Sequence, residues 1–158
     1  MSDLIWRMGM PHVRERLSWT GVNPQPDKLD FDNYMYNGDL LRERGILISG
    51  LVHDCPPWAA KLQKLPSDLN AVFTFCSKTA AAFGNRMGDW EFWNEQDISF
   101  APEPVWDYAP ALKAAYLGLK AGHAAARRRV RRAGLREDVL APRRGRDVSL
   151  HRHVRHAL

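Results

Sequence analysis

Three short stretches carry the residue types that could do chemistry. Trp90-Glu-Phe-Trp-Asn-Glu95 ends in an amide beside a carboxylate. His53-Asp54 is followed closely by Trp58, and Trp19 closes the run that begins His12-Val-Arg14. Each group stands where an apolar or aromatic run gives way to a loop. Tryptophans beside carboxylates suit a sugar, whose C–H faces stack on indole and whose hydroxyls need acceptors. No glycine-rich phosphate loop follows any of the three runs, which argues against a nucleotide site.

The elements that must position these groups follow from periodicity. His12 to Trp19, Gly45 to His53 and Asp89 to Glu95 read as strands; the middle one is almost continuously apolar, as expected for a strand covered on both faces. A helix is expected over Asp32 to Arg44, with Gly45 where a left-handed C-terminal cap would sit. A second helix, capped by Ser67 or Asp68 and ended by Gly84, places Leu69, Val72, Phe73, Cys76, Ala80 and Phe83 on one face. A third runs from about Asp107 to Lys120, with Pro110 tolerable in its first turn and Tyr108, Leu112, Ala115, Tyr116 and Leu119 as its buried stripe. Strands alternating with helices make three β/α units on a parallel sheet, either an open sheet or part of a closed barrel. In a barrel, functional residues sit at the C-terminal ends of the strands, where these groups stand.

At Trp90-Glu-Phe-Trp-Asn-Glu95 the sequence resembles the clan A glycoside hydrolases, especially the family 39 type of β-xylosidases and iduronidase-like enzymes. The likeness covers about residues 12 to 122. Arg14 to Trp19 is similar to that family's second strand, and Gly45 to Trp58 to its third. Tyr108 to Lys120 is similar to the helix after the fourth. The resemblance implies an α/β fold, a partial (β/α)8 TIM barrel holding about strands 2–4. It implies a retaining O-glycosyl hydrolase in which Glu95 is the catalytic acid/base and Asn94 bonds the sugar hydroxyl next to the scissile bond. Such an enzyme needs a second carboxyl about 5–5.5 Å away as nucleophile. The family carries it near the seventh strand, which has no counterpart here; nor does the first strand. Apolar neighbours Phe92 and Trp93 are expected to keep the acid protonated by desolvation. His53, Trp58, Trp19 and Arg14 complete the expected substrate-binding set, each with a plainer alternative: strand-end histidine, core plugs and structural ion pair. No cofactor and no metal are expected. The partners are a glycoside, oligosaccharide or polysaccharide.

Charge separates this body from the remainder of the chain. The 158 residues carry a formal charge of +5. Residues 1–122 hold 12 Lys+Arg and 15 Asp+Glu, a net of −3, while residues 123–158 hold 11 Arg and three acids, a net of +8. The second segment has no Lys and no aromatic residue. It is expected to be an Arg-rich tail, disordered or read out of frame. Its arginines could meet phosphates without sequence preference, and no specific nucleic-acid binding is expected. His151, His153 and His156 lack further ligands for a metal. Cys55 and Cys76 read as a loop thiol and a small core residue, in a reduced compartment. No run reaches the roughly 18 apolar residues of a membrane span, and no signal-peptide pattern opens the chain. The default expectation is therefore a cytoplasmic protein without membrane contact, or a secreted one if a segment precedes Met1. Unpaired sheet edges are expected to favour self-association.

Overall fold

The computed structural model describes residues 1–96 and 98–132, the side chains of 125–132 excepted. Three parallel strands, β1 (His12–Ser18), β2 (Leu47–His53) and β3 (Asp89–Phe92), lie in the order β1-β2-β3. Among the described residues, five α-helices accompany them, α1 (Ser2–Arg7), α2 (Trp19–Val22), α3 (Asp32–Glu43), α4 (Leu69–Phe83) and α5 (Val105–Arg132), with a 3-10 turn at Pro57–Ala59. The register pairs Ser18 with His53 and Val52 with Phe92, so the three carboxyl ends come out level.

Local chemistry explains the boundaries. Gly45, at φ +72°, lets α3 close as a Schellman turn: its N–H meets Arg42 O at 2.9 Å, and Ile46 N–H meets Leu41 O at 3.1 Å. Asp68 caps α4 by accepting from Ala71 N at 3.0 Å. β3 stops at Phe92, three residues short of the expected end, because Trp93 turns to φ +71°. The N-terminal residues form α1, held at the end of α3 by Arg44 on Asp3.

One face of the sheet is buried and the other is bare. Leu17, Ile48, Val52 and Phe92 are buried, whereas His12, Arg14, Arg16, Leu47, Asp89 and Glu91 are exposed. Only the inner stretch of β2 meets the expectation of burial on both faces. On the covered side Trp90 lies over Gly50, where a Cβ would stand 2.6 Å from its ring, and meets Phe83 of α4 edge-on at 5.5 Å. Asp39 of α3 grips Arg86 at 2.7 and 3.1 Å, tying the helix layer to the turn before β3.

Two helix faces differ from the expectation from sequence. On α4, Leu69 and Phe73 are exposed at 42% and 39%, while Phe75 and Thr79 are buried. Phe75 stacks on Trp19 at 4.6 Å, so the buried arc turns toward the β1 end of the sheet. On α5, Leu112 and Tyr116 are exposed and the buried line is Ala111, Ala115, Gly118 and Gly122. These small residues let α5 lie against α4 at backbone distance, where larger ones would not fit. The helix also passes its expected end at Lys120 and runs through Arg132, since the alanines and arginines beyond Gly122 are strong helix formers. Asp97, the later Arg clusters and His151, His153 and His156 lie outside the described residues. No described helix is long and apolar enough to cross a membrane.

Candidate active site at the strand ends

The three carboxyl ends converge on one cavity of about 500 Å³. Ser18, Thr20 and Gly21 reach it from the end of β1, and Trp93, Ser99 and Phe100 from beyond β3. The segment after β2 supplies His53, Asp54, Cys55, Lys61 and Lys64. Phe100 is fixed at the rim by Trp93 Nε1, which donates to its carbonyl at 2.9 Å, and by Arg16, 5.6 Å above its ring.

Backbone strain gathers at the same place. Among the described residues, three of the four non-glycine positions with positive φ are Asp54, Trp93 and Glu95, at +62°, +71° and +45°. Bulky L residues enter the left-handed region at a cost of about 1–3 kcal/mol each, and such costs concentrate at functional sites. Here the strain folds the chain tightly after β2 and β3, putting Asp54, Asn94 and Glu95 at the strand ends.

Arg14 links the outer strands across the bare face. Its Nε and Nη2 donate to Glu91 at 2.8 and 2.9 Å, and Nη2 also donates to Asn94 Oδ1 at 3.0 Å. The shared hydrogen bonds hold the Glu91 carboxyl below the usual range and raise the guanidinium, which also feels the charge of Glu95. Arg14 is thus committed to Glu91 and Asn94 rather than open to a ligand. Glu91 was not singled out by sequence; its place opposite Phe92 in the strand alternation was the signal for it.

His53 ends β2, is buried, and keeps Nδ1 3.0 Å from Asp54 Oδ2, at an angle that leaves that nitrogen without a hydrogen bond. Glu95 stands in solvent, while Phe92 and Trp93 are buried. The expected desolvation by these two neighbours is therefore corrected: Trp93 turns into the cavity wall and the next two residues leave it. Trp19 also needs correction as a sugar platform. It is fully buried, stacked on Phe75 and edge-on to Trp58 at 5.8 Å, with Nε1 on Asn23 Oδ1 at 3.2 Å. It is a core plug. Trp58 is half-buried, donates to Asn23 O at 2.9 Å, and borders a separate hollow with Asp68 and Lys78. Of the expected residues, only His53 lines the main cavity; Asn94 and Glu95 come directly after its wall at Trp93.

Sequence reasoning missed the hairpin that carries Lys61 and Lys64. Lys61 pairs with Pro66, Leu62 N–H meets Leu65 O at 2.8 Å, and Leu65 is fully buried. Glu103 fastens the hairpin by accepting from the backbone N–H groups of Lys64 and Leu65, the latter at 2.9 Å. Burial pushes that carboxyl up, but the backbone N–H groups around it outweigh burial and hold it below the usual range. Burial also pushes the thiols of Cys55 and Cys76 up to about 12, which leaves both protonated and poor nucleophiles. Among the described residues no cluster of three or more His, Cys, Asp or Glu side chains converges as a metal site.

No family model and no curated protein matches the sequence. The fold is similar to two solved structures. One is a family 39 glycoside hydrolase from the gut symbiont Bacteroides cellulosilyticus WH2, with TM-score 0.66 and 24% identity over 78% of this chain and 26% of that one. The other is the virulence factor SghA from Agrobacterium tumefaciens, with TM-score 0.55 and 18% identity over 80% of this chain and 32% of that one. The chain thus spans about a quarter to a third of the length of these structures. At this identity the likeness is one of fold.

Proposed function

We propose that these three β/α units are part of a (β/α)8 barrel of the glycoside hydrolase type, with Glu95 as general acid/base and Asn94 as a sugar-hydroxyl ligand. The observation that carries the reading is the place of Asn94-Glu95, beyond the carboxyl end of β3 and beside the common cavity, in a fold similar to a family 39 glycoside hydrolase. Two features favour a barrel over a doubly wound sheet. The strands come in sequential order with no reversal, and only one face lies under helices. The bare face, with Arg14, Arg16 and Glu91, is the one a barrel would enclose.

In this reading Glu95 protonates the glycosidic oxygen as the bond to the anomeric carbon breaks. It then takes a proton from water in the second half of a retaining cycle. Arg14 positions Asn94 through the bond to Oδ1, and Glu91 fixes Arg14. The nucleophilic carboxylate is assigned to a strand of the barrel beyond these three. Exposure of Glu95 favours a second reading, in which the chain binds carbohydrate without turning it over. Aryl β-xylosides and β-glucosides decide between them, assayed on a chain that also carries the nucleophile-bearing strand. Hydrolysis reduced at least about a hundredfold by Glu95→Gln supports the first. Saturable sugar binding with no turnover supports the second, and neither binding nor turnover overturns both.

A further inference from the structure

We propose that the cavity at the strand ends takes a phosphorylated sugar, its phosphoryl group held between Lys61 and Lys64. The inference rests on the carbohydrate reading of that cavity and adds the charge of its ligand.

Both lysines line the cavity and are exposed. Neither ammonium has a carboxylate partner among the described residues. Two carboxylates stand nearby. Glu103 is engaged by the hairpin backbone underneath, whereas Asp54, 3.0 Å from His53 Nδ1 without a hydrogen bond, borders the cavity, where the two ammonium groups together outweigh its single charge. The hairpin is anchored by buried Leu65 and by the pairing of Lys61 with Pro66, so the two stems start from fixed backbone.

The choice of phosphoryl rests on charge and donor number. A phosphate monoester carries about −1.5 to −2 near neutral pH and offers three acceptor oxygens. Its charge can balance two ammonium groups, whereas that of a single carboxylate balances one. Hydroxyls of Ser18, Thr20 and Ser99 also border the cavity and can donate to the remaining oxygens. Phe100, exposed at the rim, supplies apolar surface for a sugar ring attached to such a group. Lysine suits this task as a compact charge on a flexible stem.

The test uses the full chain and isothermal titration with glucose 6-phosphate, glucuronate, glucose and inorganic phosphate. We expect glucose 6-phosphate to bind at least about tenfold more tightly than glucuronate or glucose. We expect Lys61→Gln/Lys64→Gln to remove that advantage while the melting temperature stays unchanged. Equal binding of glucuronate overturns the phosphoryl assignment. Phosphate binding that survives in the double variant overturns the site. A double variant that melts early is replaced by Lys61→Arg/Lys64→Arg, which keeps the charge: glucose 6-phosphate binding kept there supports the site, and binding lost overturns it. Failure of the carbohydrate reading is separable. Aryl glycoside hydrolysis without phosphate selectivity leaves that reading standing alone. Selective binding of inorganic phosphate with no sugar dependence leaves only an anion site, and overturns the sugar in this proposal.

Discussion

At the residue scale, the strand ends are organised by side chains bonded to other parts of the chain. Glu103 is the clearest case. Its folded carboxyl lies below the usual range, so it binds a proton less readily when folded than when unfolded. The stability it contributes is therefore present above the ordinary glutamate value of about 4.3 and is lost as pH falls through the folded value. Glu103→Gln removes the charge from hydrogen bonds that hold the lysine hairpin, a loss of about 1–2 kcal/mol in urea denaturation near neutral pH. The acid limb of the stability profile should flatten in the variant; an unchanged limb would assign it to another carboxylate. Asn94 and Glu95 could be singled out from the sequence because the tetrapeptide Trp93-Asn-Glu-Gln96 is local. Glu91 and Glu103 were not, since their partners lie 77 and 38 residues away in the chain. Trp19 shows the opposite failure. Its type suggested a sugar platform, but only the packing of Phe75 and Trp58 around it reveals a core residue.

At the element scale, strand and helix order was legible because apolar runs and helical spacing alternate along the chain. Faces were less so, because hydrophobicity ranks Leu112 and Tyr116 above the glycines that α5 buries. A Cβ on Gly118 would stand 2.4 Å from Phe73 O, and one on Gly122 would stand 2.1 Å from Ser77 O. Both obstacles are backbone, which cannot swing aside. In an exposed helix Gly→Ala stabilises by up to about 1 kcal/mol through propensity. Here overpacking reverses the sign, and Gly122→Ala should destabilise by about 1–3 kcal/mol in thermal or urea unfolding. A stabilised Gly122→Ala would mean that α4 and α5 stand further apart than these contacts require. The same close contact explains why the helix end at Lys120 was misplaced. Gly122 reads as a stop signal, yet its role is to pass beneath Ser77, and α5 continues beyond it.

At the scale of the whole molecule, the sheet sets the behaviour in solution. β1 and β3 each pair on one side only, so two edges offer free N–H and C=O groups among the described residues. The bare face adds Leu47, 54% exposed, at the start of the central strand. Trp6, Met8 and Met10 are exposed just before β1, and Trp106 and Tyr116 along α5. Charges on the bare face, Arg14, Arg16, Asp89 and Glu91, oppose a simple apolar collapse but leave the edges open. Pairing at an edge satisfies backbone groups whatever the side chains, so association should be weak and open-ended rather than a tight dimer. Light scattering after size exclusion should show a mean mass rising across a roughly hundredfold range of concentration. Leu47→Lys places a charge on the open face and should reduce that rise without lowering the melting temperature. A wild-type chain that stays monomeric over the whole range, with one cooperative melt, would overturn association through these edges.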